Sequence, residues 1–176
     1  MRFDPRSLLL VACNALLLYV TLLINASLAS INLHLILLGP MIVIPALYLN
    51  HTSFFLSTLL TGLWVDAAFP TSFGLFTFSF LALGTILFSI RYRFHAERNF
   101  HPSLLAHATN LTCILIMTLW HGHAYFSSGA FWIQVSITTL LSHIALLFVA
   151  PWLFDLERLL FKICRLETEP EDLPIT

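Results

Sequence analysis

Residues Thr61–Phe78 read TGLWVDAAFPTSFGLFTF, and in them one carboxylate, Asp66, stands among side chains suited to hydrocarbon. Thr58, Gly62 and Asp66 are four apart and so fall on one stripe of a helix. Small residues in such a stripe let a neighbouring backbone approach closely, so the acid is expected to point into a bundle of helices. A charged group at the centre of a membrane helix costs roughly 2.5–3.5 kcal/mol on insertion scales and calls for a partner. No Lys or Arg lies on the same side of the membrane to pair with it. The next helix offers one instead: Thr71, Ser72 and Phe73 follow one tight turn later, and the first N–H groups of a helix lack intrahelical acceptors and attract negative charge. Asp66 is therefore expected to brace a hairpin between two helices, with Gly74 leaving room for the turn to pass its neighbours. Proton or ion handling needs several such groups, and the apolar segments hold this one alone.

Outward from the hairpin, the 176 residues are 59% hydrophobic and 10% charged, far below the roughly 25% charged content of a soluble domain. This composition predicts an all-α integral membrane bundle. Six apolar segments can be read, at Ser7–Ile24, Ile31–Leu49, Phe54–Phe69, Phe73–Ile90, Leu104–Trp120 and Phe131–Phe154. Each is expected to be a transmembrane helix, since a lone strand cannot satisfy its backbone in lipid. Gly39, Pro40 and Pro45 interrupt the second, which predicts a kink there. The first segment, at 18 residues, is longer than the core of a usual secretory signal and is expected to stay in the membrane.

Orientation follows from the eight Lys and Arg residues. Arg2 and Arg6 precede the first segment, Arg91, Arg93 and Arg98 follow the fourth, and Arg158, Lys162 and Arg165 follow the sixth. Six crossings place all of them on one side, which the positive-inside rule makes cytoplasmic together with both termini. The loop of Arg91, Arg93 and Arg98 is the element that sets this topology. Residues 1–165 are expected to form a single six-helix domain, and 166–176, acidic and carrying two prolines, a disordered cytoplasmic tail.

Other chemistry finds little footing. Cys13, Cys113 and Cys164 are scattered singly, with no metal-ligand spacing. His121 and His123 alternate in an outer loop without an acid or thiol nearby to complete a metal site. His107 and His143 fall in the fifth and sixth segments and could face each other, although a buried neutral imidazole more often bonds a backbone carbonyl. No GxSxG elbow or carboxylate pair suggests catalysis. Asn25, Asn50 and Asn110 match the glycosylation triplet by pattern only. Three arginines in one turn are what orientation requires, not a nucleic-acid surface. Trp120, Trp132 and Trp152 sit near segment ends as interfacial anchors. Aromatic rings crowd the third and fourth segments on more than one face, so some must look outward.

The pattern Gly62, Asp66, Gly74, set in apolar helices and followed by the basic turn RYRFHAER and a last segment ending in Pro151 and LFDLERLL, resembles the rod shape-determining protein MreD family. The turn departs from the family's usual one, with Pro70 early and Ser72 in the later place. The resemblance implies a non-catalytic inner-membrane scaffold of the bacterial cell-elongation complex, which makes peptidoglycan. It would dock an MreC-like membrane protein beside a RodA-type transglycosylase and a penicillin-binding transpeptidase, with no cofactor and no metal. Thr58, Gly62, Asp66 and Gly74 would be its structural or docking residues. Such families are also similar in fold to the substrate-binding subunits of energy-coupling vitamin transporters. The alternative is thus a subunit binding a small molecule in an outward cavity under the loop HGHAYFSSGA.

Overall fold

The structure, a computed structural model, describes residues 5–31, 33–69, 71–91 and 100–166, residues 100 and 101 by their backbone alone. The described residues are all-helical, with six α-helices: α1 (Pro5–Leu28), α2 (Gly39–Tyr48), α3 (His51–Ala68), α4 (Leu75–Ile90), α5 (Phe100–His121) and α6 (Gly129–Ile163). Short 3-10 turns follow α1 (Ala29–Ile31) and α5 (His123–Tyr125). Three stretches are long and apolar enough to cross a membrane, Pro5–Ile31, Pro102–His121 and Gly129–Ile163.

The second segment departs most from expectation. It is not one kinked helix: residues 33–38 are non-helical, and the helix begins only at Gly39. Pro40 explains the late start. It has no N–H to give and sits in the first turn of α2, where N–H groups have no acceptor in the helix. The whole stretch is also the centre of the molecule. Every residue from Leu35 to Leu47 is buried, and α2 packs against α1, α3, α4, α5 and α6.

Buried non-helical backbone is stable only when the surrounding protein meets its polar groups. Asparagines do so here. Asn25 Oδ1 accepts the Leu35 N–H at 2.6 Å while its Nδ2 donates to the Leu35 carbonyl at 2.9 Å. Asn110 Oδ1 accepts the N–H groups of Leu38 (2.9 Å) and Gly39 (3.2 Å), and its Nδ2 donates to the Ile36 carbonyl (3.0 Å). The Ile36 N–H reaches Ser142 Oγ on α6 at 2.9 Å. Within α2, Pro45 cannot bond the carbonyl four residues back, Met41. Asn14 on α1 takes its place, donating from Nδ2 to that oxygen at 3.2 Å. These bonds fix where the non-helical stretch sits in the core.

The other boundaries shift for local reasons. Asn50 caps α3, its Oδ1 accepting the Ser53 N–H at 2.9 Å, so the helix starts three residues before the expected Phe54. α6 runs nine residues past the expected Phe154, because its inward stripe of Leu146, Ala150, Leu153, Phe154, Glu157 and Phe161 stays buried. It ends with Arg165 in the left-handed region (φ 54). The Leu166 N–H then bonds the Phe161 carbonyl and the Arg165 N–H that of Lys162, the double closure of a Schellman motif. Leu166, assigned to the tail by sequence, thus belongs to the folded bundle; the rest of the acidic tail lies outside the described residues.

Candidate functional site

The hairpin of α3 and α4 holds the residues singled out by sequence. Asp66 sits in the last turn of α3, 3% exposed. Its Oδ1 accepts the Phe76 N–H at 2.8 Å, and its Oδ2 accepts the Thr77 N–H at 3.0 Å and the Thr77 hydroxyl. Phe76 and Thr77 are the second and third residues of α4, whose N–H groups a capping side chain ordinarily takes. The residue in the cap position is Gly74, which has no side chain to offer. Asp66 therefore caps α4 from the preceding helix, where the positive end of the α4 dipole also favours its charge. The acceptor geometry is of the expected kind, but the donors are not Thr71, Ser72 and Phe73; α4 starts two residues later than Phe73.

The glycines serve different ends. A Cβ on Gly62 would lie 2.7 Å from the Thr77 Cα, so this position lets the two backbones meet and brings Asp66 within reach. Gly74 matters for its backbone and not for space. Its φ of 100° is in the left-handed region, while an added Cβ would meet only the Phe78 ring at 3.6 Å. Thr58 lies on the same inward stripe and is fully buried, but its hydroxyl finds no hydrogen-bond partner among the described residues. It lines the seam without joining the clasp.

Of the basic loop, Arg93 and Arg98 lie outside the described residues. Arg91 folds back onto the bundle. Its Nη1 donates to the Leu49 carbonyl at 2.9 Å, and its guanidinium carbon stands 4.0 Å over the Phe88 ring. Arg158 Nη2 donates to Tyr48 Oη at 3.0 Å, so both arginines gather at the end of the bundle where α2 gives way to α3. At the opposite end Trp120 Nε1 donates to Ser72 Oγ at 3.2 Å and Trp132 Nε1 to the Phe126 carbonyl at 2.8 Å.

The histidines of α5 and α6, His107 and His143, pair with each other. His107 Nδ1 and His143 Nδ1 are 2.8 Å apart with their rings stacked, so one nitrogen donates and the other accepts. His123 Nδ1 lies 3.1 Å from the Trp120 carbonyl. No cluster of three metal-ligating side chains occurs among the described residues. Of the aromatic rings, Phe54, Phe76 and Phe80 face inward, while Phe55, Trp64, Phe73 and Phe78 are exposed.

Sequence reasoning missed the asparagines. Asn25 and Asn110 were read as chance glycosylation triplets, yet they hold the non-helical backbone of the core. A signal was present: a Gly-Pro break in an apolar run leaves backbone groups in need of partners, and amides elsewhere in apolar segments are the available ones. No protein-family model, curated protein or solved structure matches this chain.

Proposed function

We propose that this chain is a non-catalytic, six-span scaffold subunit of the bacterial cell-elongation complex in the inner membrane, docking the span of an MreC-like protein. One observation carries the reading: both oxygens of the motif acid, Asp66, are occupied by the first turn of α4. An acid so engaged holds a hairpin in shape; it is not displayed to a substrate. The docking surface is assigned to the exposed rings of that hairpin, Phe55, Trp64, Phe73 and Phe78. Partners would include a RodA-type transglycosylase and a penicillin-binding transpeptidase.

The second segment can serve as a crossing despite its break. Six non-helical residues reach at most about 20 Å and a ten-residue helix adds about 15 Å, enough for a hydrocarbon core about 30 Å thick. With six spans, Arg91 and Arg158 share a side, and the positive-inside rule makes it the cytosol.

A discontinuous helix at membrane depth is also how transporters build substrate sites, which favours the vitamin-binding alternative. Against it, the broken backbone here is already bonded by Asn25, Asn110 and Ser142. Purification in mild detergent separates the two readings. Co-elution of a single-span membrane protein, lost when Phe73 and Phe78 are changed to Ala, supports the scaffold. Recovery of the chain without membrane partners but with a stoichiometric small molecule overturns it. Cysteine labelling that finds position 93 exposed outside the cell overturns the topology.

A further inference from the structure

Glu157 lies on the inward stripe of α6 and is 1% exposed. Neither Oε1 nor Oε2 has a hydrogen-bond partner among the described residues. Phe154 and Phe161, one turn before and one turn after, are buried beside it. The thiol of Cys13 on α1 is within electrostatic reach, and α6 packs against α5, α1 and α2. Tyr48 at the end of α2 accepts from Arg158, and Arg6, Asp155 and Arg158 each make a further interaction.

A buried carboxylate without donors is among the costliest arrangements a protein can hold, and a bound proton removes the cost by removing the charge. We propose that Glu157 is a proton-binding site at the arginine-bearing end of the bundle, filled at neutral pH, and that its proton exchanges only when this part of α6 lifts from the helices packed against it. The ligand is the proton itself. Losing it leaves a bare anion between apolar surfaces, so the seating of the last three turns of α6 becomes linked to proton occupancy.

The full-length chain in detergent or lipid, studied by infrared spectroscopy at neutral pH, tests this. A carbonyl band of a protonated carboxylic acid is expected in the wild type, fading as pH is raised and absent in Glu157→Gln. A wild type with no such band, or one whose band survives in Glu157→Gln, overturns the proposal. Should Glu157→Gln not fold, residue-mapped labelling of the wild type by dicyclohexylcarbodiimide, which adds to the acid form in apolar surroundings, takes its place. An adduct at Glu157 that diminishes with rising pH supports the site. Labelling of Glu157 by a water-soluble carbodiimide alone, or no labelling with either reagent, overturns it.

Discussion

Asp66 and Glu157 are both carboxyl groups within the bundle, 3% and 1% exposed, yet their surroundings are opposite. Asp66 receives three hydrogen bonds; Glu157 receives none from the described residues. The difference comes from what each faces. Asp66 closes one helix where another begins, and the start of a helix is a set of N–H groups without acceptors. Glu157 lies six residues before the end of α6 and is flanked by apolar side chains along its own stripe. A buried acid is thus made structural or chemically available by its distance from a helix terminus, not by burial as such.

The contrast breaks most readily at Asp66. Asp66→Leu strands two N–H groups and a hydroxyl and should cost about 3–5 kcal/mol, read as a large fall in thermal midpoint in detergent. Asp66→Asn retains one acceptor and should lose less; equal stability of the two variants would dismiss the capping role. Next comes Asn110→Ala, which frees the Leu38 and Gly39 N–H groups and the Ile36 carbonyl and should cost about 2–4 kcal/mol. Amide exchange would quicken at Leu38 and Gly39 while α4 stays protected. Gly62→Ala forces apart the α3 and α4 backbones, at about 1–3 kcal/mol, and should weaken the Asp66 clasp measurably in the same melts. Gly74→Ala must enter the left-handed region, at about 1–2 kcal/mol. Glu157→Met sits at the small end. Exchanging a buried acid that has no donors among the described residues for an apolar chain of similar length should be neutral or stabilising by up to about 1 kcal/mol, and a loss on the Asp66→Leu scale would erase the contrast.

How much of this could be read in advance depended on sequence separation. The hairpin clasp joins residues 10 and 11 apart, so helix direction and spacing sufficed to aim Asp66 at the next helix. Its true donors were missed by a few residues because Gly74 delays the helix start. Of the supports of the second segment, Asn25 lies only 10 residues from Leu35, but those from Asn110 and Ser142 lie 72, 74 and 106 residues away, beyond any local pattern, so an apolar run broken by prolines reads as a bent helix. The extension of α6 was hidden differently. Asp155, Glu157 and Arg158 end the greasy pattern without ending the helix, because its inward stripe stays buried as far as Phe161.

The broken second segment also bears on how the chain is made. Ile36–Gly39 leave the ribosome long before Asn110 and Ser142, the residues that hold them. Until those late-arriving side chains are made, the peptide groups they hold have no partner there and must be met from outside the chain. The last helix therefore acts as a keystone, and a polypeptide truncated before Ser142 is expected to be degraded instead of accumulating as a partial bundle.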